Sequence, residues 1–202
     1  MMRIDLHVHT IERSPCAVSS EDEHILTAMD RGLDAIAFTD HESLVPPAHL
    51  DALNRGYAPF RIFGGIEITL QEGEDVLVFG VRDPALESRK WTYPELHALV
   101  RAQGGWIAIA HPLRYHPTIN LDLEQYTPDA LESCSTNIAL LNQPRIREIA
   151  KQLGIKVVCN SDAHTTQSLG VGYNLLKEEP VDEADLVRIL RAGAYLGVCT
   201  IT

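Results

Sequence analysis

Five short apolar runs in this chain each end on a histidine, aspartate or glutamate, and that recurrence constrains the fold more than any other feature. The ends are His7 and His9, Asp40 and His41, Glu67, His111, and Asp162 with His164. The first run, Arg3-Ile4-Asp5-Leu6-His7-Val8-His9, reads as a strand, so His7 and His9 point the same way and can grip one divalent metal. An exposed His pair on a strand would look the same when taken alone. Five separate strand ends loaded with metal-ligating chemistry would not.

The runs alternate with helical patterns. Strands are expected over Ile4–His9, Asp34–Phe38, within Phe60–Thr69, and over Val76–Val81, Trp106–Ala110, Asp129–Ser133 and Ile155–Cys159. Helices are expected over Glu21–Arg31 (capped by Ser19 or Ser20, stopped by Gly32), Pro46–Asn54, Tyr93–Gln103, Ile138–Leu153 (stopped by Gly154) and Asp182–Arg191. Apolar strands separated by helices imply parallel β/α units. An open doubly wound sheet gathers its function at one switch point, whereas a β/α barrel brings all its strand ends to one rim. The distribution here favours the barrel. Neither a GxGxxG after a strand nor a GxxxxGK[ST] occurs, so those modes of nucleotide binding have no support.

The chain has 202 residues, enough for one domain with a large core, and no linker is visible, so residues 1–202 are read as a single domain. A formal net charge of -11 argues against nonspecific binding to duplex nucleic acid. A small phosphorylated substrate remains compatible, because a bound metal reverses the local potential. Cys16, Cys134, Cys159 and Cys199 form no CxxC and read as free thiols, with Cys134 and Cys159 buried. Neither a signal-peptide pattern nor a membrane-spanning run is present, so a cytoplasmic location with no membrane partner is expected. The oligomeric state is not encoded in any feature of the sequence.

Nitrogen and carboxylate ligands suit Zn, Mn or Fe(II) rather than a thiolate-rich site. Glu67 has the character of a carboxylate that bridges two metals, which would activate a water as nucleophile and polarise a phosphoryl group. Gly64-Gly65 would allow close approach of backbone to the metals, or form a simple bulge. His24, His49, His97 and His116 fall in helices or loops and read as packing or solvent-facing residues.

The ordered set His-x-His, Thr-Asp-His, Gly-x-Glu, His-Pro and Ser-Asp-x-His resembles the polymerase and histidinol phosphatase (PHP) superfamily, from Asp5 to about Gly193. The resemblance implies a distorted seven-stranded β/α (TIM-like) barrel holding two or three divalent metal ions, Zn, Mn or Fe. It places His7, His9, Glu67 and Asp162 on a first metal, Glu67 and His111 on a second, and His41 and His164 on a third. Asp40 takes an outer or proton-handling role. Two departures stand out. Where the family usually has a further His or Asp after the His-x-His, this chain has Ser14-Pro15-Cys16, of which Cys16 could substitute, Ser14 would bind weakly and Pro15 cannot bind metal. Where it usually has another His after the bridging Glu, Asp75 to Pro84 holds none, and Leu77 or Arg82 occupies the place. The implied activity is metal-dependent hydrolysis of a phosphomonoester or small nucleotide. Arg114 is placed to clamp phosphate, and Arg82 is a second candidate. The alternatives are a non-catalytic metal-binding or partner module of this fold, and an amidohydrolase-like C–N hydrolase, which would want a bridging lysine.

Overall fold

A computed structural model describes residues 1–201 and shows a mixed α/β fold around one nearly closed, barrel-like sheet. The elements are β1 (Met2–Val8), α1 (Glu21–Asp30), β2 (Ala35–Phe38), α2 (Pro47–Gly56), β3 (Arg61–Thr69), β4 (Asp75–Phe79), α3 (Ala85–Ser88), α4 (Tyr93–Ala102), β5 (Trp106–Ile109), β6 (Ala130–Cys134), α5 (Gln143–Leu153), β7 (Lys156–Cys159), β8 (Gly172–Leu176), α6 (Glu183–Arg191) and β9 (Tyr195–Cys199). The strand order is β7-β6-β5-β4-β3-β2-β1-β8-β9.

Nine strands replace the expected seven, and they are not all parallel. The connection from Thr69 to Asp75 is too short for a crossover helix, so β4 must run back antiparallel to β3. This inversion brings the N-terminal end of β4 to the same rim as the C-terminal ends of β3 and β5. β8 and β9 form an added antiparallel pair beside β1. The expected strands do not include them: β8 opens on Gly172-Tyr173-Asn174, where Asn174 is fully buried through its polar side chain, and β9 is a short run after α6.

The sheet closes in two ways. At the rim, the chain leaving β7 pairs directly with β1: the His9 amide donates to the Ala163 carbonyl at 2.9 Å, and the Ala163 amide to the His7 carbonyl at 3.2 Å. Lower down, Asn174 on β8 bridges to β7. Its Oδ1 accepts from the Cys159 amide at 3.1 Å, and its Nδ2 donates to the Cys159 carbonyl at 2.8 Å. A further correction concerns the thiols. Cys134 and Cys199, read as free, are joined in a disulfide that ties β9 to β6, while Cys159 is a buried free thiol and Cys16 an exposed one.

Helix ends follow the local chemistry. Ser20 caps α1 in a capping box with Glu23. α5 begins at Gln143 rather than at Ile138, because Pro144 fits the first helical turn and residues 138–142 form turns. It ends at Gly154, whose φ of 69° is left-handed. The barrel interior is filled by Ile4, Leu6, Phe63, Leu77, Phe79 and Trp106, and α6 packs Leu186 and Leu190 into the same cluster. Gly65 serves this interior: a Cβ there would lie 2.7 Å from the Phe79 ring. Gly64 makes room for the Arg82 guanidinium. Both glycines thus make room for side chains of the neighbouring strand and loop. Among the described residues, no helix is long and apolar enough to cross a membrane.

Candidate metal centre

The rim gathers His7 from β1 and His9 just after it, His41 after β2, Glu67 from β3, His111 after β5, and Asp162 and His164 after β7. Four of their atoms form a tight cage. His7 Nε2 and His9 Nε2 are 3.0 Å apart; Glu67 Oε2 lies 3.3 and 3.2 Å from them, and Asp162 Oδ1 3.4 and 3.3 Å. A tetrahedral Zn-type site with arms of about 2.0–2.1 Å has edges of about 3.3 Å. All four residues are essentially buried, yet Glu67 Oε2 and Asp162 Oδ1 have no hydrogen-bond partner. Buried carboxylate oxygens without partners are costly. Their common focus fits a cation.

The charges agree with this geometry. Burial pulls the His7 imidazole down, but Asp162, Glu67 and Glu132 outweigh it and hold its pKa well above the ordinary histidine value. Burial alone would raise Glu67 and Asp162, yet the His7 charge and the close approach of neighbouring imidazoles hold both well below the carboxylate range. The cluster is thus an electronegative pocket that binds protons when no metal competes.

The two cage imidazoles are held in the correct tautomer. His7 Nδ1 faces Glu132 Oε1 at 3.1 Å, which leaves Nε2 with its lone pair toward the cage. His9 Nδ1 faces Ser14 Oγ at 3.2 Å, and that hydroxyl donates to Asp40 Oδ1 at 2.7 Å. Asp40 also accepts from the Thr10 amide at 2.6 Å, from the Thr10 hydroxyl and from Arg13 Nε at 2.7 Å. Its oxygens are fully engaged. It acts on the cage through Ser14, which also explains Ser14 at a position where a metal ligand was sought.

Two further donor sets adjoin the first. One comprises His7, Glu67 and His111, with His111 Nε2 2.9 Å from Glu67 Oε1. Glu67 therefore sends one oxygen into the first cage and the other toward His111. The second set comprises His9, His41 and His164, whose outer two rings stack on His9 with centroids 4.3 and 4.2 Å away. Cys16 is not among the donors of that set. His41 and His164 are partly exposed, so this set opens to the mouth of the site.

Of the phosphate candidates, Arg114 is exposed at the rim, its guanidinium 4.9 Å from the centroid of the Tyr115 ring, which in turn meets the His111 ring edge-on at 6.3 Å. Arg82 is turned elsewhere, to the Glu183 carboxylate and the Val45 carbonyl. His24 is buried on α1 with neither ring nitrogen partnered by a side chain, and burial pushes it down to about 4, so it is a neutral packing histidine. His49 pairs with Glu21, and His97 faces the Thr127 carbonyl.

Sequence reasoning missed Glu132. It is fully buried in the middle of β6, where nothing marks it as special, and it serves both halves of the site. Besides His7, it accepts from the His111 amide at 2.9 Å and from Asn160 Nδ2 at 2.7 Å. Glutamine has one acceptor oxygen where Glu132 uses two. Glu132→Gln is therefore expected to weaken metal binding by about 10–100-fold, read by titration against a chromophoric chelator. Unchanged affinity would remove its orienting role.

Backbone strain is also concentrated here. The non-glycine residues with positive φ are Glu42 (54°), His111 (26°), Leu113 (67°) and Asp162 (54°), all beside the site. Such positions persist where surrounding structure over-determines them.

Known proteins share parts of this sequence and most of this fold. A family model described as PHP-associated matches residues 142–195. A curated protein of Shewanella sp. (strain MR-4), named a probable phosphatase, is 27% identical over 200 residues, covering 83% of this chain and 78% of the relative. Among solved structures, PsfC from Pseudomonas syringae superposes with a TM-score of 0.71 at 21% identity, covering 99% of this chain and 93% of that one. A Bifidobacterium adolescentis protein assigned as a metal-dependent phosphoesterase gives 0.68 at 15% identity, covering 93% and 95%. Five motifs in order along the chain, with their side chains meeting at one rim, agree with this PHP-associated match and with the likeness to probable phosphatases.

Proposed function

We propose that this chain is a metal-dependent phosphoesterase acting on a small phosphate ester, a phosphomonoester or a small nucleotide. The observation that carries the reading is the Glu67 carboxylate, divided between the first cage and His111. A carboxylate placed this way suits two adjacent divalent ions, Zn, Mn or Fe. His7, His9, Glu67 and Asp162 would hold the first, with Glu67 and His111 on the second and His41 and His164 toward a third. When bound, such ions supply Lewis acidity, an activated water and neutralisation of phosphoryl charge.

The chain's own residues do the rest. Glu132 and the Asp40–Ser14 pair orient the two cage imidazoles. Arg114 is free to turn from Tyr115 toward an anion at the mouth, where its planar fork matches phosphate oxygens. His41 and His164, partly exposed beside the buried cage, would pass a proton to a leaving oxygen only where no third ion occupies their nitrogens. Arg114→Ala is expected to raise KM about tenfold with a smaller change in kcat, measured by steady-state kinetics. An unchanged KM would remove Arg114 from the substrate.

The C–N hydrolase reading lacks its bridging group: Lys90, Lys151, Lys156 and Lys177 are all exposed. Hydrolysis of p-nitrophenyl phosphate and a nucleotide panel, with Mn, Zn or Fe(II) added, tests the proposal. Inactivity under all three metals on every substrate would leave the metal-binding module as the better reading.

A further inference from the structure

We propose that Asp75 is a direct ligand of the second metal, which gives that site one imidazole among carboxylate oxygens and a greater preference for Mn2+ or Fe2+ than the first cage has. The inference concerns this chain's own residues and does not depend on which ester is hydrolysed.

Three carboxylates converge on one imidazole nitrogen. His111 Nε2 lies 2.9 Å from Glu67 Oε1, 3.8 Å from Asp75 Oδ2 and 3.8 Å from Asp162 Oδ2. A single Nε2–H can serve one of them, and Glu67 is the nearest. Asp162 Oδ2 accepts from Asn137 Nδ2 instead. Asp75 Oδ1 accepts from the Thr69 hydroxyl at 2.6 Å, which fixes the carboxylate with Oδ2 turned toward His111. No lysine or arginine among the described residues pairs with Asp75, although its side chain is only 6% exposed. A buried carboxylate facing two others without a cation is costly, and a divalent ion between them removes the conflict.

The strand register shows why a carboxylate stands here. Asp75 is level with Thr69 and one step nearer the rim than Leu77, which pairs with Glu67. Leu77 is fully buried in the barrel interior. Position 77 is therefore committed to the core, and Arg82 to Glu183. The place where a second histidine was sought is served from the first residue of β4. The Asp75 carbonyl also accepts from the Ala110 amide at 2.9 Å, locking it to the residue before His111. Oxygen ligands favour harder cations than imidazole does.

The test is metal counting on the full chain. The wild type and the variants Asp75→Asn and Asp75→His would be loaded with Mn2+ or Zn2+, desalted, and analysed by elemental mass spectrometry, with Mn2+ electron paramagnetic resonance for coupled pairs. The wild type is expected to hold at least two Mn2+. Asp75→Asn is expected to lose one equivalent and the coupled signal while keeping the other. Asp75→His is expected to regain the second equivalent with Zn2+ favoured over Mn2+ relative to wild type. Retention of both Mn2+ by Asp75→Asn, or fewer than two in the wild type, overturns the proposal. If Asp75→Asn fails to fold, Asp75→His decides: two metals with the Zn2+ shift support the assignment, and any other result overturns it. The metal count is readable even if no phosphate ester is cleaved, so failure of the phosphoesterase reading would be seen separately.

Discussion

Replacing Asp162 by asparagine is expected to empty the first cage and reduce phosphate ester hydrolysis by about 10³-fold or more while the fold survives. Asp162 Oδ1 is one of four cage donors and has no hydrogen-bond partner. Its loss removes an anionic ligand. The stabilisation forfeited is several kcal/mol, at about 1.4 kcal/mol per tenfold in rate. Asparagine is the informative choice, because Asp162 has a φ of 54°, and Asn and Asp are the non-glycine residues best suited to that region. Alanine would add a backbone penalty and blur the result. His7→Ala should match it in activity, since His7 Nε2 touches three of the other cage atoms' positions at 3.0–3.4 Å. Steady-state kinetics, metal content and circular dichroism together check the prediction. Activity within tenfold of wild type for either variant would mean the first cage is not the seat of the chemistry.

Gly172→Ala is expected to have the largest effect on stability, about 3 kcal/mol or more. A Cβ at Gly172 would sit 2.2 Å from the Asn160 carbonyl oxygen and 2.8 Å from its carbon. Those are backbone atoms and cannot rotate away. The clash falls where β8 meets β7, so relief would require opening the sheet. For a chain of this size the melting temperature should drop by roughly 6–12 °C, measured by thermal denaturation. A shift under about 2 °C would show that the β7–β8 seam is soft. Because Asn160 also donates to Glu132, a partly opened seam should loosen the metal site as well.

The sequence made the rim legible for a physical reason. A strand that ends on a histidine or a carboxylate announces both its direction and its chemistry, and β1, β2, β3, β5 and β7 each do so. Glu132 carries no such signal, since Ala130-Leu131-Glu132-Ser133-Cys134 reads as an ordinary strand. Its importance depends on His7 and His111, which are distant in sequence and supplied only by closure of the sheet. Asp75 was hidden by the adjacent turn residues Glu72-Gly73-Glu74, which made the start of β4 look like a loop. Strand β8 was hidden because Asn174 substitutes side-chain hydrogen bonds for part of an apolar pattern. The disulfide joins residues 65 positions apart, a proximity that spacing alone does not encode.

Glu67 carries a consequence beyond its position. Its two oxygens share one rigid carboxylate plane, so an ion drawn to Oε2 sets the direction in which Oε1 points. The rotational freedom lost in filling one cage need not be lost again in filling its neighbour. Were two ions to share this carboxylate, the first to enter would already have oriented the oxygen the second needs, which would offset part of the repulsion between them.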